Sequence, residues 1–181
     1  MKKFSGVIFA VCLVLILAGC ATTSGLPKEI EKARKNAPED VLVGIGNAKL
    51  GTVAQSRNLA ATRARAELSN MMNSIVSNMV RDYTASSEVD RDAAIAFQEN
   101  ITVTLSRSDV SGTQIMTEEE DKDGQWWCVM YLSKANLARE ISQAQAAARL
   151  AVPAMAFFNA EDRMNEAFER LKAEQEQNAW F

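Results

Sequence analysis

Apolar residues along the chain recur with distinct periods, and these periods predict the order of strands and helices. Val41 to Ile45 is a short, β-branched apolar run, which is typical of a buried strand. From about Thr52 to Tyr83, apolar positions recur at helical spacing and predict one long helix. The members of this stripe are Leu68, Met71, Met72, Ile75, Val76, Met79 and Tyr83. Small residues precede the stripe and should let the helix lie close against the strand: Ala60, Ala61, Ala64 and Ala66.

A β-hairpin is the clearest feature of the second half of the chain. Gly112–Glu119 and Gln125–Leu132 are extended runs separated by Asp121-Lys122-Asp123-Gly124, and Asp-Gly between such runs is a recognised turn signal. Trp126 to Leu132 is apolar at both alternating sets of positions, so both faces of this strand should be covered. We expect the long helix to cover one face, and the C-terminal segment or another subunit to cover the other.

Three further helices are predicted around the hairpin. The first spans about Asp90 to Ser106, although its end also alternates like a strand; its apolar face is Ala94, Phe97, Ile101 and Leu105. Ser133 should cap the second, and Pro153 should end it; its inner face is Leu137, Ile141, Ala144 and Ala148. The third carries Met164, Ala167, Phe168 and Leu171.

This order of elements predicts an α+β fold. A strand, two helices and a β-hairpin would form a small, mainly antiparallel sheet packed with helices over residues 41–152. Residues 153–181 would be a helical C-terminal extension, for which a role in the core or in an interface stays open. The predicted domain is large enough to bury a core of its own.

The first twenty residues have the three parts of an export signal. Lys2 and Lys3 are basic, and Val7–Leu17 is apolar but too short for a membrane-spanning helix. The segment ends in Leu17-Ala18-Gly19-Cys20, a lipobox, whose small residues suit a signal peptidase and whose thiol can take a diacylglyceryl thioether. We therefore predict a signal peptide at 1–19 and lipidation of Cys20 with acyl chains such as palmitate.

The residues that follow Cys20 bear on the location of the protein. Ala21 stands where an aspartate would act as an inner-membrane retention signal, so we expect a periplasm-facing outer-membrane lipoprotein if the cell has two membranes. Residues 20–40 are polar, with a small-residue stretch followed by a charged patch, and predict a lipidated flexible tether.

Composition narrows the chemistry. The net charge of −3 becomes more negative once Lys2 and Lys3 are removed, which gives no support for nucleic-acid binding. The chain has no histidine, which excludes Ser-His and Cys-His nucleophile pairs and histidine-containing zinc sites. With Cys12 removed and Cys20 acylated, Cys128 is left alone in an apolar run, so we expect a buried, inert thiol.

Three motifs invite a functional reading, and each has a stronger structural one. Gly44-Ile45-Gly46 lacks the third glycine of a dinucleotide-binding loop, so tight backbone geometry at a strand end is favoured. The acidic run Glu119–Gly124 has Met130 where a calcium loop needs a glutamate, so a solvated turn is favoured. The methionines of the long helix are expected in the core, with a ligand groove as the alternative. We predict no catalytic, cofactor-binding or metal-binding residues.

A family resemblance rests on motifs that occur in order. Val43-Gly44-Ile45-Gly46-Asn47-Ala48 is followed by an alanine-rich helix with Ala64-Arg65-Ala66, then by Val110-Ser111-Gly112, the Asp123-Gly124 turn and an apolar strand. With the lipobox, these residues resemble the LPP-twenty lipoprotein family over about Cys20 to Ser142. The resemblance implies a compact α+β domain on the outer membrane without a known reaction. Related lipoproteins include ring-forming components of flagellar basal-body disks.

The sequence predicts a non-catalytic envelope lipoprotein that acts through protein contacts. Its partners would be the membrane, through the lipid on Cys20, and other envelope proteins or further copies of itself. The resemblance implies a flagellar basal-body assembly as one setting for these contacts. A periplasmic ligand-binding module is the alternative, and a carboxylate-dependent cell-wall enzyme is a third hypothesis. No cofactor is implied by the sequence.

Overall fold

The computed structural model describes residues 25–107 and 112–178. Within these ranges the chain forms five α-helices and three strands. The helices are α1 (Lys28–Lys35), α2 (Val53–Ala85), α3 (Arg91–Arg107), α4 (Lys134–Ala151) and α5 (Ala160–Asn178), and a short 3-10 turn, Pro153–Met155, joins the last two. The strands are β1 (Val41–Ala48), β2 (Gln114–Glu120) and β3 (Trp126–Ser133). The predicted α+β fold is confirmed.

The three strands form one antiparallel sheet in the order β1-β3-β2, so the last strand of the chain is central. β1 pairs with β3 from Val41 opposite Ser133 to Ala48 opposite Trp126. β2 pairs with β3 through the predicted hairpin, with an irregularity between Ile115 and Thr117. β1 is three residues longer than predicted, since its pairing continues to Ala48.

Helix α2 crosses one face of the sheet with almost no gap between the two backbones. A Cβ atom added at Gly44 would run into the carbonyl oxygen of Ala64, and one at Gly46 into the carbonyl oxygen of Ala60. Ala60 and Ala64 are fully buried at this contact. Glycine on the strand and alanine on the helix therefore let the two elements approach more closely than larger side chains would permit.

The same helix also covers the free edge of β1. The carboxylate of Glu67 accepts a hydrogen bond from the Ile45 backbone N–H, and Arg63 donates to the Asn47 carbonyl oxygen at 2.6 Å. Both backbone groups lie on the side of β1 away from β3. An edge strand with unpaired backbone groups can pair with a strand of another chain. Glu67 and Arg63 bond two of these groups on β1 and so hinder such pairing.

The other face of the sheet is covered by helix α1, in a segment that the sequence analysis predicted to be a flexible tether. Residues 20–40 were expected to be a flexible tether, but Lys28–Lys35 forms helix α1, which contacts β2 and β3 and has a fully buried Ile30. Val129, whose side chain lies on the face away from α2, is fully buried as well. The charges are arranged for a helix: acidic residues lie in the first turn and basic residues in the last.

Helices α3 and α5 pack on α2, and α4 packs on α3 and α5, so that the four helices form a core beside the sheet. α3 remains helical as far as Arg107. Ile101 and Leu105 are buried and Val103 is exposed, so the end that also alternated like a strand is a helix. Ser133 caps α4 by accepting a hydrogen bond from the Asn136 N–H, and α4 ends at Ala151 as Pro153 predicts.

The C-terminal extension belongs to this core as far as it is described. Met155, Phe158 and Phe168 are fully buried, and α5 contacts both α2 and α4. The rings of Phe158 and Tyr83 meet edge to face at 5.4 Å between centroids. The expectation that this segment covers the second face of β3 is wrong, because α1 lies there and α5 packs on the helical side.

The backbone contact between β1 and α2 gives a prediction. Gly46→Ala should lower the free energy of unfolding by about 3 kcal/mol, because the added methyl group meets a helix backbone that cannot yield. The matched control is Gly51→Ala, since a Cβ atom at Gly51 would have no neighbour within 4 Å. Urea denaturation of both variants measures the difference. Equal stability of the two variants would contradict the close contact.

Glu67 gives a second prediction. Burial raises the pKa of its carboxyl above the ordinary value of 4.5, and the Ile45 N–H and Arg34 offset this in part. The folded protein therefore binds this proton more tightly than the unfolded chain, and the carboxyl group's contribution to stability falls as the pH rises above 4.5. Glu67→Gln keeps an acceptor for Ile45 without the charge, so it should be at least as stable as the unaltered protein at pH 7.

The control and the contrary result follow from the same hydrogen bond. Glu67→Ala removes the acceptor and should be less stable than Glu67→Gln by about 1 kcal/mol at every pH. Denaturation curves between pH 4 and pH 7 compare the three proteins. A glutamine variant that loses stability relative to the unaltered protein as the pH rises would show that the ionised carboxylate is stabilising instead.

Candidate functional site

The residue on which the sequence analysis places its one site, Cys20, lies outside the described residues. The same is true of Val110-Ser111 in the family resemblance. Within residues 25–107 and 112–178, no helix is both long and apolar enough to cross a membrane.

The carboxylate of Asp121 stabilises the acidic turn between β2 and β3. One oxygen of Asp121 accepts hydrogen bonds from the backbone N–H groups of Asp123 and Gln125 at 2.9 and 3.0 Å, and the other accepts from the Trp127 indole at 3.0 Å. Gly124 has a positive φ of 73°, as the predicted turn requires. These bonds, led by that from Trp127, lower the pKa of Asp121 below its usual value.

A metal site is not formed by the acidic side chains that the structure describes. No group of three histidine, cysteine, aspartate or glutamate residues in the described ranges is arranged to hold an ion. At the acidic turn, the ammonium group of Lys49 donates to the Asp123 carbonyl oxygen at 2.5 Å. One of the oxygens of this turn is therefore bonded to a lysine.

The other motifs from the sequence are structural in the described residues. Gly44 and Gly46 lie against α2 and leave no room for a phosphate, which confirms the tight-backbone interpretation. Met71, Met72 and Met79 belong to the closed core, so the core interpretation is confirmed and the methionine groove is wrong. Cys128 is a fully buried free thiol, and burial, then Glu118, raises its pKa to about 11.

A shallow surface groove lies between the first half of α2 and the edge strand β2. Its volume is about 750 Å³, and its apolar lining is Val53, Ala54, Ala61 and Ile115. Val53 and Ile115 are 54% and 48% exposed, so these side chains are open to contact from outside. We call this depression the α2–β2 groove.

The charged residues of the α2–β2 groove are two arginines and one glutamate. Arg57 donates to Glu118 from Nε at 2.9 Å and lies 5.9 Å from the centre of the Trp126 ring. The ion pair raises the pKa of Arg57. Arg65 has no ion-pair partner among the residues that the structure describes, so the groove has one positive charge beyond its internal pair.

A second exposed apolar feature is the connection between α4 and α5. Leu150 and Phe157 are 87% and 91% exposed, and the small residues around them are exposed too: Ala151, Pro153, Ala154 and Ala156. We call Leu150–Phe157 the apolar tip. Its backbone is fixed, because Met155 and Phe158 are buried and both Gln145 and Arg149 donate hydrogen bonds to the Phe158 carbonyl oxygen.

Neither surface feature was identified from the sequence. The signal for the apolar tip was the uncharged run from Leu150 to Ala160, in which only the helix-ending effect of Pro153 was recognised. The α2–β2 groove had no comparable signal, since its two walls come from segments far apart in the chain.

The described residues thus define a small α+β domain with two exposed apolar surfaces, and they include no group of three histidine, cysteine, aspartate or glutamate residues that could hold a metal ion. A comparison with models of known protein families found no match for this chain, and neither did comparisons with curated proteins and with solved structures. The resemblance to the LPP-twenty lipoprotein family therefore stays a prediction from sequence motifs.

Asp121 gives a prediction about the turn. Asp121→Ala should lower the melting temperature, because three hydrogen bonds lose their acceptor, whereas Asp123→Ala keeps every bond in which the Asp123 backbone takes part. The pKa of Asp121 is lowered on folding, so its contribution is present above the usual value of 3.8 and is lost as the pH falls further. The difference between the two variants should therefore shrink in strong acid.

Calcium provides the complementary measurement on the same turn. Addition of calcium or of a chelator should leave the melting temperature of the unaltered protein unchanged, because Asp121 is already bonded to donors of the turn. A calcium-dependent rise of several degrees that Asp121→Ala abolishes would instead establish a metal site.

Proposed function

We propose that the chain is a lipid-anchored, non-catalytic protein of the bacterial outer membrane that acts through contacts with other proteins. One observation carries the proposal: a short apolar segment after Lys2 and Lys3 ends in Leu17-Ala18-Gly19-Cys20. The last three positions of this motif have a chemical reason, since the small residues Ala18 and Gly19 suit the peptidase and only Cys20 provides the thiol. Several acyl chains on Cys20 would hold the protein firmly, because each buried methylene adds roughly 0.8 kcal/mol.

The described domain is compatible with a role through contacts. Its acidic turn, its Gly-x-Gly segment and its methionines all have structural roles, whereas Leu150, Phe157 and Ile115 present apolar side chains to solvent. Exposed apolar side chains that cluster on a fixed backbone are typical of interaction surfaces. The resemblance to the LPP-twenty lipoprotein family supports the more specific proposal of an envelope assembly, including a flagellar one.

The alternative proposal of a periplasmic ligand-binding module has less support from the structure than from the sequence alone. Its predicted pocket used the methionines of α2, which are packed in the core. A ligand would have to use the α2–β2 groove instead, and that groove is shallow and open. The third hypothesis, a carboxylate-dependent enzyme, has no observation that favours it.

Replacement of Cys20 tests the anchor. Cys20→Ala should leave the precursor uncleaved, or the protein without acyl chains, because no other residue at that position can form the thioether. Radiolabelled palmitate and fractionation of the cell envelope measure the two effects. Cys12→Ala is the matched control, since Cys12 lies in the segment that is removed. A Cys20→Ala protein that matures to the same size, takes up label and fractionates as before would refute the lipid anchor.

A further inference from the structure

The two exposed apolar surfaces lie at opposite ends of helix α2. The α2–β2 groove is lined by residues of the first half of the helix, from Val53 to Arg65. The apolar tip lies beside its other end, where Tyr83 contacts Phe158 and Ser86 accepts a hydrogen bond from Arg163 at 3.3 Å. From Ala61 to Tyr83 the helix rises by about 33 Å. The tip of one molecule therefore cannot reach the groove of that same molecule.

The two surfaces are both apolar. The tip has two almost fully exposed side chains, Leu150 and Phe157, on a fixed backbone. The groove is concave, with a volume of about 750 Å³ and apolar walls that include Val53 and Ile115. Burial of a leucine and a phenylalanine side chain contributes roughly 1.5–3 kcal/mol each, so contact between the two surfaces removes the largest exposed apolar groups from water.

Charge is complementary. The tip is flanked by the end of α4, the start of α5 and the residues at and just before the start of α3. Acidic residues outnumber basic ones in these segments, five to three: Glu88, Asp90, Asp92, Glu161 and Asp162 against Arg91, Arg149 and Arg163. The groove presents Arg65 beyond the internal pair of Arg57 and Glu118. Opposite charges around an interface favour one orientation of approach and disfavour contact between like surfaces.

We propose that the apolar tip of one copy of this chain docks into the α2–β2 groove of a second copy, head to tail. Because the two surfaces differ, the contact is heterologous: each bound copy still presents a free groove or a free tip, and the association continues until it closes on itself. The inference deepens the proposed function by naming a second copy of the chain as a partner.

The contact should be weak between molecules in free solution. Leu150 and Phe157 alone offer far less than the roughly 800 Å² that each partner buries in a standard interface. An anchor that holds many copies on one membrane raises their effective concentration, so a weak contact suffices there. The inference rests on the proposed lipid anchor in this respect alone.

Chemical cross-linking in cell envelopes tests the contact with full-length protein. Two differently tagged chains are produced together, one with Phe157→Cys and the other with Ile115→Cys, and are treated with a short bismaleimide. Both positions are exposed, so the folded domain should tolerate the changes. Cys128 should not react, because it is buried and its pKa is raised to about 11. The protein without added cysteines measures any background from its native thiols.

A mixed cross-linked dimer several times more abundant than in a control pair is the expected result. The control pairs Ile115→Cys with Ala135→Cys, an exposed position at the start of α4, far along the helix from Leu150. Leu150→Ser in the tip-bearing chain and Arg65→Glu in the groove-bearing chain should each reduce the mixed dimer, with unchanged melting temperatures as the check on folding.

Two results would overturn the head-to-tail contact. One is a mixed dimer no more abundant than the control, which would mean that the tip meets lipid or another protein. The other is preferential cross-linking of Phe157→Cys chains to each other, which would mean that two tips meet. Fractionation of Cys20→Ala remains a separate readout, so failure of the lipid anchor and failure of the contact are distinguishable.

Discussion

The backbone-to-backbone contact between β1 and α2 is the constraint on which the rest of the fold depends. Gly44 and Gly46 place no side chain between the strand and the helix. On the helix side, Ala60 and Ala64 place only a methyl group there. This close approach places the helix directly beside the strand edge, within reach of its backbone groups. Glu67 and Arg63 can bond to Ile45 and Asn47 only because the helix is so near.

The position of α2 determines the positions of the elements that follow. The helix is 33 residues long, about 50 Å, so it extends beyond the sheet that its first half covers. Its second half is the surface on which α3 and α5 pack, and the core continues along it from Leu68 to Val80. The domain is therefore elongated along one helix, and this geometry separates the α2–β2 groove from the apolar tip.

Much of this architecture could be predicted from the sequence because the signals are local. Apolar spacing predicted the long helix, Asp-Gly the hairpin, and Ser133 and Pro153 the limits of α4. Helix α1 was missed although its acidic residues precede its basic ones, as suits a helix, because its polar composition favours a tether and Ile30 is its one fully buried residue. An eight-residue helix is marginal alone, so its conformation depends on a sheet face that no local signal describes.

The surfaces were harder to predict than the fold for the same reason. The structural roles of Gly44 and Gly46 and of the Asp123-Gly124 turn follow from short-range chemistry, and the sequence was sufficient there. The groove needs residues of α2 and β2 side by side, and the tip needs Phe157 to stay outside while Phe158 turns inward. Two adjacent phenylalanines look alike in a sequence, and only the packing of Tyr83 and Phe97 against Phe158 separates them.

The strand order has a consequence for the way in which the chain folds. β3 is central, yet it is the last strand to be synthesised, and β1 and β2 pair with it and not with each other. The hairpin of β2 and β3 closes over a short turn, whereas the pairing of β1 with β3 closes a loop that contains α2 and α3. Closure of long loops slows folding. Every strand pair of this sheet includes β3. The sheet therefore cannot begin to form during synthesis until β3 has been made.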